Sequence, residues 1–382
     1  MQIFQVKLGL ESLSCTRARP SDAGIIAALY RDVYAGDYPC PELFTEEGMR
    51  EYLDSVHSGV HTVRISFDGT LVGVLSCQVN RARRFGYFRG GMLRPEYRGR
   101  IATRQLFQDL FQQFIIEFAP LVDYFYGENR TGNCAFHSIL EQLGFYAFSV
   151  MPNKDIFFGE RETECIHALY MKDPPPDSWQ LTPLAARTAS RVLGSPVAPV
   201  SLDRSDAISH IHKIPGISWQ VDVSSKGTHT YLHVHGKLGS LNAEVCPASR
   251  NAEAIAIDAD SPRAYATLVV ELLREASRQK LEYLEILAPA TNRHDQQILE
   301  MLGFWPTGFL PYWHVPGESR KQDAVMYVRN FPSDLPLRPP QYTPDSNYLW
   351  GLMPPLMVKV PPKQTERGLD VVDCPHAEVD NF

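Results

Sequence analysis

The sequence contains no stretch of the ~18 uninterrupted apolar residues that a membrane-spanning helix needs, which excludes a helical membrane protein. Its first residues, MQIFQVKLGLESLS, lack the basic and apolar regions of a secretory leader, so none is expected. The seven cysteines (Cys15, Cys40, Cys77, Cys134, Cys165, Cys246, Cys374) are odd in number and never spaced as CxxC. A disulfide framework or zinc knuckle is therefore not expected, and a cytoplasmic location is. Positive charge is in deficit, with 37 Lys and Arg against 44 Asp and Glu; the net charge of −7 excludes a general nucleic-acid binder. What is present is ordinary: 44% hydrophobic and 21% charged residues describe a globular chain, not a fibre or a disordered one. At 382 residues it suits two domains on a prior of ~150 residues each.

The chain repeats itself. Asn133, then five residues, then Ile139-Leu-Glu-Gln-Leu-Gly-Phe145 returns as Asn292, five residues, and Ile298-Leu-Glu-Met-Leu-Gly-Phe304, at an offset of 159. The same offset sets Tyr124 over Tyr283 and the helical stretch 103–118 over 262–277. After the motif, 165–173 corresponds to 323–331 within two residues. Two copies of one domain are expected.

Each copy reads strand, long helix, strand, helix, strand, which predicts an α/β fold with a mixed sheet and helices on both faces. In copy one, Phe85–Leu93 is a strand. Leu106, Leu110 and Phe114 give an amphipathic helix face, Val122–Tyr126 a short strand, and 133–143 a helix that Gly144 stops. Ahead of these lie a strand (12–18), helices near 21–34 and 45–56, and a hairpin turning at Asp68-Gly69. The expected organisation is an N-terminal domain over 1–172, a proline-stiffened linker over 173–199, a C-terminal copy over 200–331, and a tail over 332–382. That tail holds 10 of the 29 prolines. Whether it lies extended across the body through Trp350, Leu352 and Met353 or stays loose is open at this point.

The chemistry-bearing segment is Met92-Leu-Arg-Pro-Glu-Tyr-Arg-Gly-Arg-Ile-Ala-Thr-Arg-Gln-Leu106, between a strand and a long helix. Backbone N–H groups at a helix start lack internal partners and face the positive end of the helix dipole, so they suit a pyrophosphate. Arg98 and Arg100 add cations. Eight arginines against one acid, Glu96, fall between 81 and 104, and this points to an anion site.

Here the sequence resembles the GCN5-related N-acetyltransferase (GNAT) superfamily. Its pattern is a strand ending in V-x-P-x-Y-R-G-x-G-x-G/A before a helix, then N-x-x-A-x-x-x-Y-x-x-x-G-F about 40 residues on. Leu93-Arg-Pro-Glu-Tyr-Arg-Gly-Arg stands at the first and Asn133 to Phe145 at the second. The resemblance covers residues 12–172 and, more weakly, 200–331. It implies two tandem GNAT-like domains and direct attack of a small molecule's primary amine on acetyl-CoA or another acyl-CoA. It also implies a cofactor site of Met92, Leu93, Arg94, Arg98, Gly99, Arg100, Ile101, Ala102, Thr103 and Asn133. Ile101 and Thr103 depart from the loop glycines, and the family's usual acid, a tyrosine, falls at Leu140. His137, on the same helix face, is the replacement candidate acid, and Glu128 the candidate base.

Tyr34, Asp37 and Tyr38 are placed at the amine mouth. At offset 159, Arg98–Thr103 becomes Ile257-Asp-Ala-Asp-Ser-Pro, whose carboxylates repel phosphate, so copy two is expected to bind no cofactor. The arginine run also suits an acidic acyl carrier protein as thioester donor, and a non-catalytic CoA-binding module is the third reading. His229, His233 and His235 alternate on one strand face. Two imidazoles need a further ligand, nothing nearby in sequence supplies one, and no metal is expected.

Overall fold

A computed structural model describes residues 3–4, 13–98, 102–132, 134–175, 177–200, 218–226, 229–315 and 320–354. Local signals place the elements. Thr45 Oγ1 accepts from Gly48 N (3.1 Å), Thr182 Oγ1 from Ala185 N (3.2 Å) and Ser261 Oγ from Ala264 N (3.2 Å), three helix starts capped by hydroxyls. Asp68-Gly69 turns a hairpin, both residues at positive φ (49° and 78°), as the primed turns require. Gly144 and Gly303 end the two motif helices at φ 86° and 82°.

The first half runs β1 (Ile3–Phe4), β2 (Leu13–Arg17), α1 (Ala23–Tyr34), α2 (Glu46–Leu53), α3 (Ser55–Ser58), β3 (Val60–Phe67), β4 (Thr70–Asn80), β5 (Phe85–Leu93), α4 (Thr103–Phe118), β6 (Tyr124–Arg130), α5 (Ala135–Gln142), β7 (Tyr146–Phe157) and β8 (Glu160–Tyr170). The second runs α6 (Pro183–Leu193), β9 (Gln220–Lys226), β10 (His229–Gly236), β11 (Gly239–Cys246), β12 (Asn251–Ala259), α7 (Pro262–Arg278), β13 (Tyr283–Pro289), α8 (Arg293–Met301), β14 (Trp305–Trp313) and β15 (Gln322–Asn330). The strand expected at Val122–Tyr126 therefore starts and ends later, because β8 pairs with it through Arg130.

All fifteen described strands join one mixed sheet, ordered β1-β2-β3-β4-β5-β6-β8-β7-β14-β15-β13-β12-β11-β10-β9. The order reads outward from β7 and β14 as two similar series. Pairing is antiparallel except at β5–β6 and β12–β13. Helices cover both faces of the first half: Leu75 of β4 packs with α4 and α5, whereas its neighbour Val74 packs with α1 and α2.

The halves meet where β7 pairs with β14, with Ser149 opposite Gly308. A side chain at Gly308 would put its Cβ 2.1 Å from that of Ser149, so only glycine fits. Deeper in the seam Arg161, 1% exposed, ties the halves together. Its Nε donates to Glu282 (2.7 Å), Nη1 to the carbonyls of Asn153 (2.9 Å) and Lys154 (3.1 Å), and Nη2 to that of Ser249 (2.8 Å). The described part of the tail returns to the first half. Arg338 N donates to Arg161 O (2.9 Å) and Gln341 N to Thr131 O (2.8 Å), while Leu352 and Met353 are buried and Trp350 is 37% exposed.

The repeat keeps its offset of 159 from α4 onward: α7 opens at Pro262 where α4 opens at Thr103, and β13 spans Tyr283–Pro289 where β6 spans Tyr124–Arg130. Upstream it does not. Phe85 pairs with Tyr124, but Asn251, not residue 244, pairs with Tyr283. The strand-to-helix connection is nine residues (94–102) in the first half and two (260–261) in the second. The expectation that Ile257–Pro262 stands in for the loop is thus corrected. Ile257, Asp258 and Ala259 belong to strand β12, and the loop is shortened, not recoloured.

Candidate active site

Strands β5 and β6 pair only from Phe85/Tyr124 to Phe88/Gly127. Beyond that β5 stays with β4, through Val74–Met92 and Gly73–Leu93, and β6 stays with β8, through Glu128–Ile166 and Arg130–Glu164. The parting begins at a bulge: Gly90 has φ 63° and an added Cβ would lie 2.3 Å from Tyr30 Oη, so glycine is required. Among the described residues, Arg89–Leu93 have no strand partner on the β6 side. Their main-chain groups face a cavity of about 650 Å³, large enough for a thioester arm and an acceptor.

Met92, Leu93 and Arg98 line this cavity, and Arg98 Nε donates to Leu93 O (3.2 Å). Burial, opposed by the nearby Tyr34, lowers the Arg98 guanidinium without neutralising it. Gly99, Arg100, Ile101 and Asn133 lie outside the described residues. Ala102 occupies the cap position of α4 and Thr103 its buried first turn; neither lines the cavity. Arg94 faces away and pairs with Asp32 (2.8 Å), so its assignment to the cofactor is corrected: an exposed carboxylate on α1 claims it.

Glu128 lines the cavity, but its carboxylate is 2.8 Å from Lys154 Nζ. Burial alone would lower the Lys154 ammonium; Glu128 and Glu285 together raise it well above its ordinary value. Around this pair sit three more cavity carboxylates, Asp155, Glu164 and Glu253. Burial and then Asp155 push Glu164 well up, and burial and then Glu285 push Glu253 to about 8. Asp155 also accepts from Asn251 Nδ2 (2.7 Å), a second-half side chain.

His137 is not brought to the cavity. Its side chain is fully buried, Nε2 donates to Arg130 O (3.1 Å), and its ring packs against His167 with centroids 4.7 Å apart. Burial and then His167 lower it to about 3, so it stays neutral in the core. The expectation of a catalytic acid fails because the helix face it shares with Leu140 is the core face. Tyr34 and Tyr38 do line the cavity, their rings 4.4 Å apart, and burial holds both phenols protonated. Asp37 does not: its carboxylate accepts from Gly159 N (2.6 Å) and caps the β7–β8 turn.

Of the arginine run, Arg89 also lines the cavity; sequence reasoning missed Arg130, Lys154, Asp155, Glu164, Glu253 and Arg338, which line it too. Arg130 and Arg338 share Glu162, at 2.6 and 3.1 Å, and Arg130 lies 3.8 Å over the Phe157 ring. Polar positions within apolar β7 and β8 hinted at Lys154, Asp155 and Glu164; Arg130 ends β6, Glu253 lies on β12 and Arg338 comes from the tail. The arginine run is also divided. Arg81–Arg84 and Arg94–Arg98 lie at opposite ends of nine-residue β5, about 27 Å apart at ~3.3 Å per residue, so they form no single patch.

In the second half β12 and β13 pair over only three positions before parting. The space there, about 350 Å³, is lined by Asp258, Asp260 and Asp295 beside Ser261 and Asn292. His233 and His235 each have a polar partner on a neighbouring strand, Asn242 (2.5 Å) and Asp222 (3.0 Å) respectively.

No family model and no curated protein matches the chain. Solved structures of acetyltransferases are similar to it. One, from Salmonella typhimurium, modifies the N-terminal serine of a 50S ribosomal subunit protein; it is 17% identical over 45% of this chain and 100% of that one, with a TM-score of 0.36. A ribosomal-protein-S5-alanine acetyltransferase from Vibrio fischeri is 18% identical over 44% and 97%, with a TM-score of 0.36. A third, from Salmonella typhimurium and solved with its cofactor acetyl-CoA, is 16% identical over 44% and 99%, with a TM-score of 0.37. The likeness spans a little under half of this chain. No helix among the described residues is long and apolar enough to cross a membrane.

Proposed function

We propose that this chain is a GNAT-type acyltransferase whose first half transfers an acyl group from acyl-CoA to a small-molecule amine. The observation that carries the reading is the parting of β5 from β6 over a cavity with two chemically different ends. At one end the free edge Arg89–Leu93 offers an added-strand surface to a pantetheine amide chain, with Arg98 toward the phosphates. At the other, Glu128, Asp155, Glu164 and Glu253 gather around the single ammonium of Lys154. Acidic groups crowded enough to be raised by burial and by one another are relieved by a further cation, which is what an amine is before it reacts.

The amine must shed a proton to attack the thioester carbonyl. Glu253, raised to about 8, is matched to that transfer near neutral pH, while Glu128 is held by Lys154 and orients it. The amine nitrogen then bonds to the carbonyl carbon, the C–S bond breaks, the departing thiolate takes a proton from a cavity phenol, and the second proton leaving the nitrogen restores that phenol, while Glu253 returns the first to solvent. Tyr34, beside Arg98, replaces the absent helix tyrosine. Coenzyme A is favoured over a carrier protein because the arginine run forms no continuous acidic-partner surface. The second half supplies cavity wall and no cofactor site, since its connection is short and its counterpart space acidic.

Calorimetry with acetyl-CoA and longer acyl-CoAs, followed by thiol release with a panel of primary amines, tests this. One site per chain and turnover that falls about 10²-fold or more in Glu253→Gln, with cofactor affinity kept, is the expected result. No binding of any acyl-CoA overturns it.

A further inference from the structure

At the rim of the same cavity the two halves bring together groups that the acyl-transfer reading does not use. Cys40 and Glu42 lie in the loop between α1 and α2; His229 opens β10 of the second half. Their donor atoms, a thiol sulfur, a carboxylate oxygen and an imidazole nitrogen, lie within 4.8 Å of one another. His229 Nε2 is 3.7 Å from Glu42 Oε1, and its Nδ1 is 2.7 Å from Glu244 Oε1 on β11.

We propose that Cys40, Glu42 and His229 bind a divalent transition-metal ion, zinc by preference, with Glu244 holding the imidazole from behind. Thiolate, imidazole and carboxylate form a donor set suited to tetrahedral zinc. Ligands at ~2.0–2.3 Å from such an ion are about 3.5 Å from each other, so small side-chain adjustments close the site. A carboxylate on the second ring nitrogen is the usual support of a metal-bound histidine, since it fixes the ring and raises its basicity. Cys246, nearby, is already engaged, its thiol donating to Pro39 O (3.2 Å). Three protein ligands leave one position open. Cys40 and His229 both line the cavity, so that position is available to a water or an acceptor group. The ion would also clamp the first half to the second across the cavity rim.

The test is cobalt titration of the full-length protein after chelator treatment under reducing conditions, with zinc competition. One equivalent of cobalt should give the visible bands of a tetrahedral ion and a near-ultraviolet thiolate-to-metal band, both lost on adding zinc. Cys40→Ser should abolish the thiolate band, His229→Gln should weaken binding at least 100-fold, and Glu244→Gln should weaken it about 10-fold. His233→Gln, four residues along the same strand, should leave it unchanged, and Glu42→Gln, a ligand variant in an outer loop, should weaken binding at least 10-fold with the melting temperature of the metal-free protein kept, so that the loss is not misfolding. No tetrahedral spectrum at one equivalent, a thiolate band that survives Cys40→Ser, or an acyl group carried covalently on Cys40 without metal overturns the proposal. These readouts do not depend on whether the cavity transfers acyl groups.

Discussion

Gly308 pairs with Ser149, the residue 159 positions before it and therefore its own counterpart in the repeat. Two equivalent positions pair with each other only where a twofold relation passes between them. The fifteen-stranded sheet is thus two related series joined back to back, and β7 meets β14 in register at this pair.

A side chain at that point should break the join. Gly308→Ala places its Cβ 2.1 Å from that of Ser149 and 2.9 Å from its Cα, so backbone must move. The expected loss is about 1–3 kcal/mol, read from urea unfolding. Ser149→Gly should cost under ~1 kcal/mol alone and recover part of the loss in the double variant.

Arg161 is a second, buried tie across the seam. Arg161→Ala leaves Glu282 and three carbonyls short of a donor, with Arg250 still on the other carboxylate oxygen. A loss of about 3 kcal/mol or more is expected; Arg161→Lys should recover little, since one ammonium cannot serve four acceptors in a plane.

Charge reversal at Arg98 should weaken coenzyme A binding at least tenfold in calorimetry, with melting temperature held. Arg94→Glu, which disrupts only the contact to Asp32, should leave affinity near that of the parent.

Glu253 makes stability depend on pH in the alkaline range. Its folded value, about 8, lies above the ordinary carboxylate value, so its contribution is full at low pH and is lost as pH rises through 8. Glu253→Gln should gain on the parent protein between pH 7 and 9 and show a flatter melting profile there.

His137 works in the opposite direction. With a folded value near 3, it resists protonation in the core, and stability falls as pH drops from about 6.5 toward 3. His137→Gln should shift acid unfolding and leave the shape of the turnover profile alone. A lost limb in that profile would return His137 to the chemistry.

Much of this molecule was legible locally. Apolar spacing marked α4 and β5, glycines marked the ends of α5 and α8, and Asp68-Gly69 marked the hairpin, because each depends on the chemistry of a few adjacent residues. The repeat was legible for the same reason, as a motif whose spacing its own helix and strand dictate. What only the tertiary structure decided was which side chains share a space. Its strand register shows that the loop of the second half is seven residues shorter than that of the first, a difference that an ungapped offset hides. Its packing turns His137 and Asp37 away from the cavity and brings in Lys154, Glu253 and the tail's Arg338. It also sets Cys40 against His229 across 189 positions of chain. Periodicity and capping act over one or two turns of backbone. The cavity is made where strands part and distant segments close over the gap, and no local pattern records that meeting.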